Sequence, residues 1–180
     1  MKIVFLQNIF IYYFYIFVIV STITLRSIMK TKTIARICSI QSIYQYIICD
    51  HGVSIEQIIK NMIKYDKEEN QKEDKYSQMN INFFSEIVKI GVINIKNIDD
   101  LIISKLSANW SISSIHLTLL SLLRCGVAEL IFFPETPTKV IISEYTNIST
   151  MILSEGEENF VNGILDKIAK EVRKKLYETK

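Results

Sequence analysis

The 180-residue chain contains very little proline and glycine, with two and five residues respectively. Both residues interrupt helices, because proline lacks a backbone donor and glycine loses much conformational freedom, so their scarcity permits long helices. The chain has only three cysteines, an odd number at unrelated spacings. Cys38, Cys49 and Cys125 form no C-x-x-C pair, so the sequence encodes neither a zinc cluster nor a thioredoxin-like redox site.

The sequence also lacks the motifs of common enzyme classes. There is no P-loop, dinucleotide-binding glycine pattern, zinc-protease helix or nucleophile elbow. The two histidines, His51 and His116, are far apart. Paired acids at 99–100 and 157–158 lie at predicted helix starts, where the helix dipole accounts for them. We therefore predict that the protein is not an enzyme and uses no metal or cofactor.

What the sequence does contain is helical periodicity, because apolar residues recur at three- and four-residue steps rather than alternating. We predict one all-α domain of about seven helices. The first helix is expected at 33–49, the second begins after a Ser54–Gln57 capping box, the third is expected at 81–92 and the fourth begins after an Asn97 cap. The last three are expected at 115–133, from a Thr136 cap and Pro137 to about 153, and at 157–177. The first should bury one face, and the helix at 115–133, apolar on most sides, should be central. Residues 66–74 are charged and without period, which predicts an exposed loop.

Residues 1–28 are predicted to form a hydrophobic extension ahead of a helical domain at 29–180. Ile3 to Leu25 is a run of 23 uncharged residues, long enough to span a bilayer. More basic residues follow the run than precede it, so a spanning helix would leave the globular part in the cytoplasm. Met29 also reads like the natural start of a helical protein, so the extension is either a membrane anchor or the product of an upstream start. In either case we expect the helical domain to fold without it.

Basic residues concentrate at both ends of the predicted helical domain. Lys30, Lys32 and Arg36 lie at the start of its first helix without a nearby acid. Near the C-terminus six basic residues stand against two acids: Lys167, Lys170, Arg173, Lys174, Lys175 and Lys180 against Glu171 and Glu178. Such ends suit a polyanion. The alternative for the C-terminal group is that helix C-termini favour cations, whereas helix starts do not.

Four short motifs resemble those of one known family. Residues 160–167 read FVNGILDK, which is similar to the F-V-N-G-x-L-D-K signature of the NusB transcription antitermination factors. Residues 137–144, PTKVIISE, resemble the family's P-x-K-V-x-I-N-E, and 123–130, LRCGVAEL, its L-R-x-x-x-x-E-L. Residues 36–44, RICSIQSIY, match R-x-x-A-x-Q-x-L-Y loosely. The motifs occur in family order, and the resemblance covers about residues 29–172.

The resemblance implies a cytoplasmic protein whose fold consists of two packed helical bundles. It also implies that this protein binds the boxA element of nascent ribosomal RNA transcripts. It implies joint action with NusE, a small-subunit ribosomal protein, in a complex that makes RNA polymerase resist termination. Carried over by position, the RNA-binding residues are Lys30, Lys32, Arg36, Gln41, Tyr44, Phe160 and Asn162. The cations would neutralise phosphates, and Tyr44 and Phe160 would either stack on unpaired bases or pack in the core.

A second protein is expected on the helix at 115–133 and the helix before it. We predict that these helices expose Lys105, His116 and Leu119 to NusE; a homodimer is an open alternative. Within the apolar helix Arg124 and Glu129 each need a partner elsewhere, which a buried polar clamp would supply. Gly163 costs roughly 1 kcal/mol in a helix, so close packing against another helix is the expected compensation.

Two departures from the family pattern bear on function. The arginine-rich start is reduced to two lysines and one arginine, and lysine lacks the planar fork that grips phosphate and base edges. Ser143 replaces the family's Asn before Glu144. We therefore expect weaker RNA binding that rests more on the partner protein.

Two other functions compete with antitermination. The first is a membrane-tethered helical interaction protein, in which the run from Ile3 to Leu25 is functional. The second is the RNA-guiding front of a ribosomal-RNA cytosine methyltransferase. This second interpretation needs a Rossmann-type domain that the 180 residues do not supply.

Overall fold

The computed structural model describes residues 29–49, 52–72, 78–107 and 110–178, the side chains of 69–72 and 175–178 excepted. Over these ranges the chain forms seven α-helices and one 3-10 helix, and no β-strand. The helices are α1 (Thr31–Ile48), α2 (Ile55–Lys72), α3 (Ile81–Ile93), α4 (Ile95–Lys105), the 3-10 helix (Ile112–Ser114), α5 (Leu117–Phe132), α6 (Thr138–Ile152) and α7 (Glu157–Glu178). The prediction of an all-α fold is confirmed.

The chain divides into two compact units, with the boundary between Val88 and Lys89. The expected extension at 1–28, with its apolar run and the proposed boundary at 29, lies outside the described residues. None of the helices in the described ranges combines the length and apolar character needed to cross a membrane.

In the first unit α1 is buried over two consecutive turns. Every residue from Ile34 to Ile40 is buried, so the prediction of a single buried face is wrong for this half of the helix. The polar members find partners inside: the Ser39 hydroxyl donates to the Ala35 carbonyl at 2.8 Å, and the Arg36 guanidinium lies 5.2 Å from the ring centroid of Phe83. These two buried polar side chains therefore have interaction partners inside the protein, which offset the cost of their burial.

Helix α2 packs against α1 and is longer than predicted. The backbone N–H of Gln57 donates to the Ser54 hydroxyl at 3.2 Å, which confirms Ser54 as the cap. The helix continues to Lys72, so the predicted loop is wrong over residues 66–72; residues 73–77 lie outside the described ranges. Asp66 is 2% exposed and accepts a hydrogen bond from the Met79 amide at 3.3 Å. One turn after Met62, it continues the buried stripe of α2 and fixes the segment that enters α3.

In the second unit α5 is the central helix, in contact with α4, α6 and α7. All residues from Leu119 to Leu130 are buried, which confirms the prediction for this segment. Two predicted helix starts are shifted, by three residues at α4 and by one residue at α6. Helix α4 begins at Ile95 after Asn94, not after Asn97, and α6 begins at Thr138 with Pro137 as its cap.

Buried arginines join the helices of the second unit. Arg124 on α5 makes two hydrogen bonds to the Asp99 carboxylate on α4, at 2.8 and 2.9 Å. This confirms the expectation that Arg124 has a partner on another helix. Arg173 on α7 donates to the carbonyls of Phe133 and Pro134, both at 3.0 Å. These carbonyls follow the last turn of α5, so Arg173 caps that helix from a neighbouring one.

Candidate nucleic-acid interface

The first unit presents cations at the start of α1. Lys30 and Lys32 are exposed, and the first turn of α1 contains no acidic residue. The Lys32 ammonium lies 4.9 Å from the ring centroid of Phe83, the ring that Arg36 also contacts. Arg36 itself is 3% exposed. The structure therefore brings two of the three predicted cations to one aromatic ring and leaves the lysines open to solvent.

Gln41 and Tyr44 follow on the same helix and are both half-buried. Burial raises the pKa of the Tyr44 phenol above its ordinary value. The ring of Tyr44 is therefore neither fully exposed nor part of the fully buried core. This intermediate burial is compatible with both expected roles of Tyr44, stacking on a base and packing against the core.

The second unit presents an aromatic pair at the start of α7. Half-buried Phe160 stacks on Trp110, with ring centroids 5.4 Å apart and planes inclined by 28°. Trp110, the only tryptophan of the chain, is 48% exposed. Asn162, two residues after Phe160, is exposed. Sequence reasoning missed Trp110, although a lone tryptophan between polar residues is a signal that could have indicated it.

A groove of about 310 Å³ lies beside this aromatic pair. We call it the Trp110 groove; it is lined by Lys105, Leu106, Ser107, Trp110, Asn159, Phe160, Gly163, Ile164 and Lys167. A Cβ added to Gly163 would meet no atom within 4 Å. The expectation that Gly163 packs closely against another helix is therefore wrong, because the space beside it is the groove.

A glycine of this unit that does pack closely is Gly126 on α5. A Cβ at Gly126 would lie 3.0 Å from Leu165 Cδ2 and 3.4 Å from the ring of Tyr145. Gly126 therefore lets α5 approach α6 and α7 closely. The sequence pattern indicates the wrong glycine because it cannot show which helix face meets a neighbour.

The basic residues of α7 have different surroundings. Lys170 pairs with Asp166 at 2.6 Å, and buried Arg173 caps α5. Lys105 of α4 pairs with Glu171 at 2.5 Å. Lys167 is exposed and lines the groove. Among the members of the predicted basic cluster whose side chains are described, Lys167 is the one that lines the groove beside the aromatic pair.

The residues expected to bind a protein partner differ in exposure. His116 is exposed and caps α5: its Nδ1 accepts from the Leu119 amide at 3.3 Å, and its Nε2 donates to Glu157 at 2.7 Å. Lys105 is half-buried in its ion pair. Leu119 is 4% exposed, so the expectation that it is exposed is wrong. It lies on the face of α5 that packs inward.

The seven predicted RNA-binding residues divide between the units. Five lie on or beside α1 in the first unit, and Phe160 and Asn162 lie on α7 in the second. Within the described ranges, no group of three or more histidine, cysteine or acidic side chains could hold a metal ion.

Comparison with known proteins decides the family. The sequence model of the NusB family matches residues 33–170. The chain belongs to the NusB family. It is 40% identical over 149 residues to the transcription antitermination protein NusB of Rickettsia bellii, a match that covers 82% of this chain and 94% of that protein.

Solved structures show the same fold for this NusB family member. NusB of T. maritima superposes with a TM-score of 0.67 and 28% identity, over 83% of this chain and 99% of that one. A crystal structure of the antitermination factors NusB and NusE in complex with double-stranded RNA also contains a similar chain. That chain has a TM-score of 0.59 and 23% identity, over 77% of this chain and 95% of its own length, and it supports the fold alone.

Proposed function

We propose that this protein is a transcription antitermination factor that binds boxA-type single-stranded RNA of nascent ribosomal RNA transcripts together with NusE. Membership of the NusB family over residues 33–170 carries the proposal. The relative from Rickettsia bellii is a transcription antitermination protein, and a NusB of the same fold is known in a complex with NusE and RNA. The role is one of binding, in the cytoplasm with RNA polymerase, and requires neither catalysis nor a cofactor.

The proposed RNA surface of the first unit is led by Lys30 and Lys32. Both ammonium groups are exposed at a helix start, where the helix dipole disfavours cations. Their presence there is better explained by an anionic ligand than by the stability of the fold. Arg36, buried over the ring of Phe83, holds that ring beneath Lys32, while Gln41 and Tyr44 extend the surface along α1.

The proposed RNA surface of the second unit is the start of α7. Phe160 offers an aromatic ring and Asn162 an exposed amide. Unpaired bases stack on aromatic side chains and present hydrogen-bonding edges to amides. These two side chains therefore supply base contacts, whereas the lysines of α1 supply phosphate contacts.

Replacing Lys30 and Lys32 together by alanine tests the phosphate contacts. We expect weaker binding of single-stranded RNA and a salt dependence whose slope is flattened by about 0.7 for each phosphate that is no longer bound. Thermal stability should change little, because both side chains are exposed. The measurement is fluorescence anisotropy of a labelled boxA-type oligonucleotide at several salt concentrations.

The matched control is Lys60→Ala with Lys64→Ala, which removes the same charge from exposed positions of α2 in the same unit. It should leave both affinity and slope nearly unchanged. Arg36→Ala should instead lower the melting temperature, because the guanidinium is buried. A Lys30/Lys32 variant that binds like the parent, with the same slope, removes these lysines from the site.

The proposed partner surface centres on His116, with Lys105 at the end of the preceding α-helix and Leu119 supporting it from the core. We expect a heterodimer with NusE that buries about 1,600 Å² in total. His116→Asn should weaken association by about fivefold or more, which corresponds to about 1 kcal/mol. Asparagine is a good helix cap, so α5 should keep its start and the protein its stability. Separate species in size-exclusion chromatography of the parent proteins at micromolar concentration would argue against the partner.

A further inference from the structure

We propose that the Trp110 groove holds one unpaired nucleotide of the bound RNA, with its base stacked on Trp110 and its phosphate on Lys167. The inference deepens the proposed function and rests on it. It adds three residues, Trp110, Gly163 and Lys167, to the predicted RNA-binding set.

The first observation is the exposure of the aromatic pair. Phe160 covers one side of the indole of Trp110 in a stacked arrangement, yet 48% of Trp110 remains exposed. A large aromatic side chain is usually more buried than this. A base placed on the open face would extend the stack, and base–aromatic stacking contributes to binding without regard to sequence.

The second observation is the open space at Gly163. A glycine inside a helix costs about 1 kcal/mol relative to alanine, and close packing is the usual compensation. No such packing exists here, because a Cβ would meet nothing within 4 Å. The absent side chain keeps the groove open. Its volume of about 310 Å³ is at the lower end for small-ligand sites, which suits one nucleotide rather than a helix.

The third observation is charge. Lys105 on the groove wall is paired with Glu171, whereas exposed Lys167 forms no ion pair among the described residues. An open aromatic face beside one cation that has no ion-pair partner among the described residues fits a ligand that is both aromatic and anionic. A nucleotide has this chemistry, and an apolar peptide side chain does not.

The only tryptophan of the chain makes the groove its own fluorescence reporter. The full-length protein is titrated with a single-stranded 12-nucleotide RNA, and binding is followed separately by anisotropy of a label on the RNA. We expect the fluorescence of Trp110 to be quenched in parallel with binding. Gly163→Leu should fill the groove and abolish the quenching, whereas Gly163→Ala should retain it and show that the helix tolerates substitution.

Affinity provides the second readout. Trp110→Ala should weaken binding by about 5- to 150-fold, which corresponds to about 1–3 kcal/mol, with the salt slope unchanged. Trp110→Phe should restore most of the affinity. Lys167→Ala should flatten the slope by about 0.7.

The outcomes separate this inference from the proposed function. RNA that binds by anisotropy without changing Trp110 fluorescence overturns the nucleotide site and leaves the proposed function standing. RNA that does not bind overturns both. Quenching by NusE alone, and not by RNA, assigns the groove to the protein partner and overturns the nucleotide site.

Discussion

At the scale of single residues, two glycines inside helices of the second unit have opposite surroundings. Gly126 faces Leu165 and Tyr145 at van der Waals distance or closer, and both neighbours are fully buried. Gly163 faces open space. Alanine gains about 1 kcal/mol over glycine in a helix wherever its methyl group fits. A comparison of alanine substitutions at the two positions therefore separates the effect of packing on stability from the effect of helix propensity.

We expect Gly163→Ala to raise the free energy of unfolding by about 1 kcal/mol. Gly126→Ala should lower it by about 1 kcal/mol, because a strain of about 1–3 kcal/mol from overpacking exceeds the gain in propensity. Urea denaturation of both variants measures the difference. Equal shifts of the same sign would mean that α5 can move away from Leu165 at little cost.

At the scale of helices, α7 stabilises the end of α5 through Arg173. The last carbonyls of a helix lack partners within it. Here the buried guanidinium donates to the carbonyl of the C-cap residue Phe133 and to that of Pro134, which follows it. The sequence shows a basic residue near the C-terminus of α7. It cannot show that this residue serves a helix about forty residues earlier.

We expect Arg173→Met to lower the free energy of unfolding by about 3 kcal/mol, since hydrogen bonds from a charged donor contribute about 1.5–3 kcal/mol each. Arg173→Lys should recover part of this, because lysine provides charge without the planar fork. Lys170→Met is the matched control on the same helix. Its exposed ion pair with Asp166 should be worth less than about 1 kcal/mol. Arg173→Met with the stability of the control would contradict the cap.

At the scale of the whole molecule, each unit contains a buried cysteine. Cys38 on α1 is 6% exposed and Cys125 on α5 is fully buried, whereas Cys49 after α1 is half-buried. Burial raises the pKa of the Cys125 thiol well above its ordinary value; the Glu129 carboxylate raises it further and Arg124 opposes the shift. Burial also raises the pKa of Cys49. Because the thiolate is the reactive form, both exposure and ionisation limit labelling.

We expect a thiol reagent at pH 8 to label native Cys49 first, Cys38 more slowly and Cys125 last, as followed by mass spectrometry. The raised pKa of Cys125 also has a consequence for stability. The contribution of the buried, protonated thiol to the free energy of unfolding is complete below the ordinary pKa of 9.0. This contribution is lost as pH rises towards the higher pKa of the folded state. Labelling of Cys125 that keeps pace with Cys49 would show that the second unit opens far more readily than its burial indicates.

The sequence by itself determined the fold class, the family and most of the helices. Helices α3, α5 and α7 lie within two residues of their predicted bounds, and Ser54 caps α2 as predicted. These features are local: apolar spacing, a capping side chain and a proline all act within a few residues of chain. The family motifs are local in the same sense, because each is a short run of neighbouring residues.

The tertiary structure alone decided what each polar or small residue does. Charged neighbours predict a loop at Asp66, yet a hydrogen bond from a residue thirteen positions later holds it in place on α2. Arg36, predicted to bind RNA, lies buried against Phe83. Trp110 and Phe160 meet across fifty residues of chain, and the groove beside them exists because of where Gly163 faces. Local pattern fixes which residues are helical, but only packing between distant segments determines which of them remain accessible to a ligand.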